Sequence, residues 1–387
     1  MQRGLTGRYE VTAAAGERVR AFVPVPLPPA PDLDLRSLQV ALERALVAVG
    51  RLDGLSAFLP DPHFFIYGYV RKEAVLSSQI EGTQSSLSDL LRYESELGPG
   101  VPDADVIEVS NYVEAMEHGL SRLDDGFPLS NRLLLEIHAR LLATGRGSRR
   151  MSGEFRRSQN WIGGTRPGNA HFVPPPAHLV LDCMGELEAF LNAVPAPSDL
   201  PTLIRAGLAH AQFETIHPFL DGNGRVGRLL ITLYLCAEDL LADPLLYLSL
   251  YFKERRSEYY ALLDAVRQDG DWEAWLAFFL EGVRYTAEAA ESTARRQLDL
   301  FEADQSRVRL SGRAASSALR VHAVLRERPV VSLRQAADDA GLSYTAAAAA
   351  MRVLVDLGVA EELTGRQRGR LFGYREYIEI LNEGTEL

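Results

Sequence analysis

The sequence predicts a mainly α protein, with a large helical unit that carries the chemistry and a smaller C-terminal unit in which helices alternate with short strands. Three observations support this. Apolar residues recur three to four apart over most of the chain, as at Leu38, Leu42, Leu46 and Val49, which is helical spacing. Strand-like runs are short and few, at Trp161-Ile162, His171-Phe172-Val173 and either side of 365–370. One dense loop, Ile216 to Arg228, joins two helical patterns. The 387 residues, 47% hydrophobic and 24% charged, are ordinary for a globular protein of two or three domains. The expected division is 1–104, 105–285, a helical linker at 286–309, and 310–387.

Charge and cysteines exclude several classes. A net charge of −11 argues against broad nucleic-acid affinity, leaving room only for a local basic patch. The two cysteines, Cys183 and Cys236, stand in apolar helical contexts, so neither a disulfide framework nor a cysteine metal site is expected. No apolar leader follows Met1-Gln2-Arg3-Gly4 and no stretch is long enough to span a bilayer, so the expected location is the cytoplasm and no membrane partner is expected.

In chain order, residues 1–35 read as irregular, with the proline-rich Phe22 to Pro29 laid over the surface as an extended arm. Helices follow at about 35–50 and 62–80. The second ends in Ser77-Ser78-Gln79-Ile80-Glu81-Gly82, which read alone is a solvated carboxylate beside a glycine C-cap. A loop is expected at 98–104, then helices at 106–123 and 130–142, the latter capped by Ser130. His138 shares an apolar face with Leu134, Ile137 and Leu141, which suits a packed, hydrogen-bonded histidine. The strand-like runs around the Gly/Pro/Asn turn of 163–169 predict a hairpin. Helices are expected at 177–193 and 200–214.

Pro218 then disfavours the α region for His217, so the helix should end at or before it. Gly222, Asn223 and Gly224 form a turn tolerant of positive φ, and a helix resumes with Val226, Leu229, Leu230, Leu233 and Tyr234. Backbone N–H groups at such a helix start suit an anion. Arg225 and Arg228 share a face in its first turn, where cations are unfavourable unless a polyanion lies between them. Asp221 is a hard oxygen ligand suited to Mg²⁺ bridging phosphates. His217 titrates near neutrality and suits a general base. Base, metal ligand, anion cradle and two cations together point to transfer from a nucleotide.

His217 to Arg228 matches the signature His-Pro-Phe-x-Asp/Glu-Gly-Asn-Gly-Arg-x-x-Arg at every defined position, and the chain thereby resembles the Fic family. The resemblance covers about 105–285, with a related N-terminal region. It implies a Fic-type helical domain with a β-hairpin flap and AMP transfer from ATP, with Mg²⁺, to a Ser, Thr or Tyr hydroxyl of a protein, the chain itself included. By position, His217 is implied as the base and Asp221 as the Mg²⁺ ligand. Gly222, Asn223 and Gly224 are implied as the phosphate cradle, Arg225 and Arg228 as phosphate clamps, and Phe219 as the anchor that points the loop inward. Ser77 to Gly82 fits the family's inhibitory motif Ser/Thr-x-x-x-Glu-Gly/Asn, so Ser77, Glu81 and Gly82 are implied to restrain Arg228 through a Glu81–Arg228 pair. Gly163, Gly164 and Thr165 fall where the family's flap docks an extended target by strand addition. Tyr259 or Tyr260, in a helix after the signature, is a candidate for the adenine pocket, with Tyr260 preferred, although an aromatic at helical spacing is more often core.

Asp271 is the expected cap of a helix at 272–290. Beyond it, helix, short strand, helix, turn at Gly341, helix and two strand-like runs follow the order of a winged helix-turn-helix, a module that follows the Fic domain in many bacterial members. Arg366, Arg368 and Arg370 make its wing basic. Tyr344, Thr345 and Arg352 are thin equipment for reading bases, which favours dimerisation or partner docking over DNA binding. Three alternatives stay open: removal of AMP from a modified protein, another nucleotide donor, and a transcriptional regulator acting through the winged module. A homodimer rests on the resemblance alone.

Overall fold

The computed structural model describes residues 2–56, 62–95, 104–145, 150–193 and 200–386. The expected loop at 98–104 falls, but for its last residue, outside them. The chain opens with β1 (Gly7–Ala14) and β2 (Glu17–Pro24). It continues through α1 (Leu35–Ser56), α2 (Pro62–Ile80), α3 (Leu87–Ser95), α4 (Ala104–Asp124), α5 (Asn131–Leu141), α6 (Val180–Leu191), α7 (Thr202–Ile216) and α8 (Asn223–Ala237). After these come α9 (Ser249–Glu254), α10 (Arg256–Asp269), α11 (Trp272–Arg309), α12 (Ala315–Glu327), β3 (Val330–Ser332), α13 (Leu333–Asp339), α14 (Tyr344–Asp356), β4 (Ala360–Glu362), β5 (Leu371–Tyr374) and α15 (Arg375–Asn382). Among the described residues, no helix is long and apolar enough to cross a membrane.

Helix α7 explains why the signature loop is held so firmly. Every residue from Leu203 to Ile216 is buried, the polar Arg205, His210, Gln212 and Glu214 included. Its small residues let neighbours close in: a Cβ on Gly207 would lie 2.9 Å from Leu276 and 3.0 Å from Phe279, and the Gly207 carbonyl accepts from Trp275 Nε1 at 2.9 Å. Helix α8 packs beside α7, and one apolar core runs from Val23 to Leu381. Ser130 caps α5 through Leu133 N–H, and Asp271 caps α11 through Ala274 N–H.

Three expectations are corrected. Residues 7–24 are not irregular but form an antiparallel hairpin with Gly7 opposite Pro24 and Ala14 opposite Glu17. Its two-residue turn puts Ala15 at φ 45° and Gly16 at φ 82°, the double positive φ that tight hairpins use. Asn-Gly would have announced that turn; Ala-Gly does not. Leu87–Ser95 is a helix that the sequence reading left out. The helix expected to stop near 290 runs unbroken to Arg309, 38 residues in all, because Ala287, Ala290, Thr293, Ala294, Gln297, Phe301, Asp304 and Val308 keep one face buried along its second half.

The flap is slimmer than a laddered hairpin. Ile162 and Phe172 form a single antiparallel bridge around a short helical turn, Pro167–Asn169. β2 supports it from below, with Phe22 N–H donating to the Val173 carbonyl at 2.8 Å. In the C-terminal part, β3, β5 and β4 make a three-stranded antiparallel sheet in that spatial order.

Candidate active site

α7 ends at Ile216, and His217 takes left-handed angles, φ 49° and ψ 60°. The proline that follows it closes the α region to it, and surrounding bonds hold the strained turn. Arg156, 2% exposed, spends its guanidinium on backbone: it donates to the carbonyls of His217 at 2.9 Å, Pro175 at 2.6 Å and Ile216 at 3.4 Å. Its own N–H bonds the Pro218 carbonyl at 2.9 Å. Asn223 closes a ring on Phe219, accepting from its N–H at 2.8 Å and donating to its carbonyl at 2.9 Å. Asn160 donates to that same carbonyl at 2.9 Å. Phe219 is fully buried and stacks on His138 with centroids 3.8 Å apart. His138 bridges the Asp221 carbonyl at 3.1 Å and Gly153 N–H at 2.9 Å, a packed histidine as expected.

The turn is tighter than the sequence suggested. Only Gly222 has positive φ, 78°, as the residue before α8; Asn223 and Gly224 already lie in the helix. The Asn223 side chain is therefore occupied by Phe219, and what faces the opening is backbone. Val226 donates the first intrahelical bond, to the Gly222 carbonyl at 3.0 Å. The N–H groups of Asn223, Gly224 and Arg225 precede it, and Gly222 before them has no side chain to cap them, the arrangement that favours an anion.

The two arginines differ. Each is 3% exposed. Arg225 is loosely met, by Glu108 at 3.5 Å and Asp221 at 3.6 Å, and its Nε has no hydrogen-bond partner. Arg228 is tightly met from α2: Nε donates to Ser77 Oγ at 2.8 Å, and a terminal nitrogen donates to the Ser77 carbonyl at 2.9 Å and to Glu81 Oε1 at 2.8 Å. The Glu81 carboxylate also lies on the start of α8, where a Cβ on Gly224 would stand 2.2 Å from Oε1. Gly82, at φ 100°, turns the chain away behind it. Burial pushes the Glu81 carboxyl up, but the charge and hydrogen bond of Arg228, with help from Arg225 and His217, hold it below the usual carboxylate range. The Glu81 side chain is nonetheless 38% exposed.

His217 is half-buried. Burial, with the cations Arg156 and Arg267, pushes its imidazole down to about 3, so it does not titrate near neutrality as the sequence suggested and stands neutral at ordinary pH. Asp221 is partly open and uses Oδ1 to receive Gly222 N–H at 2.8 Å. Gly163, Gly164 and Thr165 are exposed on the flap, and Thr165 is held by Asn169 through N–H to Oδ1 at 3.0 Å. Tyr259 is core, bonded to His210 at 2.8 Å, whereas Tyr260 is 40% exposed and feels the charges of Glu81 and Arg228. Sequence reasoning missed Arg156, one arginine in an arginine pair with no motif around it. It also missed Glu214, which is 7% exposed, lies against Gly227, and is pushed up to about 7 by burial.

Residues 39–121 match the Fic/DOC family N-terminal model and residues 128–235 the Fic/DOC family model. The chain is 33% identical over 187 residues to Protein adenylyltransferase Fic of Drosophila grimshawi, an alignment covering 48% of this chain and 33% of that protein. It thus spans about a third of the length of the curated relatives it matches. A Fic family protein from Desulfovibrio desulfuricans G20 has the same fold, with a TM-score of 0.54 at 19% identity over 91% of this chain and 98% of the other. Fic-1 from C. elegans aligns with a TM-score of 0.50 at 22% identity over 69% of this chain and 75% of the other.

Proposed function

From a chain that carries a Fic/DOC N-terminal region and a Fic/DOC domain, we propose AMP transfer from ATP to a protein hydroxyl, restrained by Glu81. The observation that carries this is the meeting at one helix start of a neutral imidazole, an uncapped run of N–H groups and two buried arginines, one of them plugged by a carboxylate. The target oxygen attacks the α phosphorus and gives its proton to His217. An O–P bond forms, the bond to the bridging oxygen breaks, and pyrophosphate leaves. The N–H groups of Asn223, Gly224 and Arg225 with the two guanidinium groups stabilise charge on the phosphates, the largest contribution a fixed polar site makes. Asp221 would hold Mg²⁺, which supplies charge neutralisation when bound. Among the described residues no three His, Cys, Asp or Glu side chains cluster to hold a metal alone, which fits a cation that draws its other ligands from phosphates and water.

Glu81 acts as the brake in this reading. It takes both the helix start and the guanidinium that the γ phosphate needs. Gly163, Gly164 and Thr165 dock the target backbone, and Tyr260 borders the nucleoside. The C-terminal elements are read as a winged helix with an exposed basic wing at Arg366, Arg368 and Arg370, supported by the order β3-β5-β4 and used for docking a partner. Incubation with α-³²P-ATP and Mg²⁺, followed by a gel, tests the reading. Glu81→Gly is expected to raise label on protein by about 5- to 150-fold, the usual span of a coupling between sites. No label in either the wild type or Glu81→Gly would reject AMP transfer.

A further inference from the structure

The inhibitory motif is held from outside the Fic region. Gln79 lies between Ser77 and Glu81 in the last turn of α2 and is 8% exposed. Its amide donates to the carbonyls of Ser85 at 3.2 Å and Thr385 at 2.9 Å, and its Oε1 accepts from Lys253 Nζ at 2.7 Å. Lys253, on α9, also donates to the Glu386 carbonyl at 2.5 Å. Residues 382–386 are thus fastened to the end of α2 through one amide and one ammonium group. The fastening is extended on both sides. Asn382 donates to Ser88 Oγ at 3.1 Å, and Thr385, 3% exposed, closes its own turn onto the Asn382 carbonyl at 2.7 Å. Gly384, at φ 80°, lies so close to Leu250 that a Cβ would come within 2.8 Å of it. Lys72, 8% exposed on α2, faces the charges of Glu383 and Glu386, and Glu383 is anchored to Arg296 on α11 at 2.6 Å. Higher up, α15 packs on α2 where Leu381 and Tyr377 press against Gly68.

We infer that Gln79 and Lys253 are positioning residues that, with residues 382–386, latch the end of α2 against Arg228, so that the C-terminal region sets how often Glu81 releases the site. The inference rests on the reading of Glu81 as the brake. The physical reason is that Glu81 itself is partly exposed and ion-paired through a single oxygen, so its residence on Arg228 depends on how rigidly α2 presents it. A buried Gln with each of its polar atoms satisfied fixes that last turn. Anything that draws residues 382–386 away takes the Thr385 acceptor from Gln79 and the Glu386 acceptor from Lys253, and loosens the turn.

The test uses the full chain, with Lys253→Met and Gly384→Val each made in the wild-type and Glu81→Gly backgrounds. The first removes the ammonium group while keeping the stem. The second is barred by its positive φ and by Leu250. Two readouts separate the latch from the brake. Amide hydrogen exchange over 77–86 reports the latch with no reference to catalysis. It is expected to quicken about tenfold in both variants, while 217–235 is unchanged. Label from α-³²P-ATP with Mg²⁺ reports the brake. It is expected to rise about fivefold or more in each variant, with no further rise in the Glu81→Gly background, the non-additivity of parts that act in series. Unchanged exchange over 77–86 overturns the latch, whatever Glu81→Gly does. Faster exchange with unchanged label, while Glu81→Gly gains label, overturns the link from latch to brake. Faster exchange with no gain in Glu81→Gly overturns the brake and leaves only the mechanical latch.

Discussion

The two segments that meet in the site are held in opposite ways. The loop 217–223 is tied by buried side chains to backbone: Arg156, Asn160 and Asn223 bond its carbonyls and N–H groups, and His138 packs beneath it. The end of α2 is tied by Ser77, by Gln79 and by a carboxylate that is 38% exposed and sits on the site itself. Pre-organised polar groups belong on the side that does chemistry, because they cost no rearrangement at the moment of reaction. A half-exposed ion pair belongs on the side that must let go, because solvent lowers what is lost when it opens. Arg225 and Arg228 show the same contrast three residues apart. One is met loosely, while the other is held through Nε and one terminal nitrogen.

Four substitutions or conditions would break or sharpen this contrast. The largest effect is expected for His217→Ala, which should lower label in a Glu81→Gly background by about 10²–10⁴-fold, the range for loss of a general base, with an unchanged melting temperature. Label at the starting level would end the assignment of His217 as base. Gly224→Ala comes next. Its methyl group would overlap Glu81 Oε1 and approach Arg228, so it should expel the carboxylate yet fill the anion cradle. Label below that of Glu81→Gly, with faster exchange over 77–82, is the expected pair of results. A gain equal to Glu81→Gly would show that the cradle is wider than described.

Arg156→Met should act on the fixed side only. It strands buried carbonyls of the loop, with a cost of about 1–3 kcal/mol for each acceptor left unpaired. Lower thermal stability and lost label together are expected, and a stable, active variant would contradict the role of Arg156 as a splint. On label, the smallest effect is that of pH. Burial holds His138 at about 4, His210 at about 3, His217 at about 3 and His322 at about 4. These groups charge in the unfolded chain below pH about 6.5 but not in the folded one, so each removes about 1.4 kcal/mol of stability per pH unit below that point. Glu73 and Glu214, raised to about 7 by burial, work the other way between about 7 and 4.5, where the folded state holds the proton. Four histidines outweigh two carboxyls by about two protons, so urea stability should fall by about 2–3 kcal/mol per pH unit as pH drops from about 6.5 to 4.5. The Glu81 pair, held below the carboxylate range, should persist through that window, and the ratio of label between wild type and Glu81→Gly should stay flat.

Much of this was legible in order along the chain. The helix end before His217, the Ser130 and Asp271 caps and the buried His138 followed from local rules about proline, capping and spacing. Those rules act within a few residues and survive in any fold. The string from His217 to Arg228 was equally legible as a candidate site, since a histidine, an acid, glycines and arginines stand within twelve residues. The hairpin at 7–24 was not, because its turn is Ala-Gly and the bond from Phe22 to Val173 that ties it to the flap joins residues far apart in sequence. The second half of α11 read as a polar linker because the residues it buries are mostly small or polar, and only packing shows them covered.

The sequence by itself determined which groups could do chemistry and where helices begin and stop, because propensity, capping and φ/ψ limits are local. Tertiary structure alone decided what each group is free to do. It brought Glu81 across 147 positions onto Arg228, gave the Asn223 side chain to Phe219 rather than to the opening, lowered the imidazole of His217 by burial, and set Gln79 against Thr385 across 306 positions. Burial and partner distance have no signature in a linear string, because they depend on which distant surfaces the core brings together.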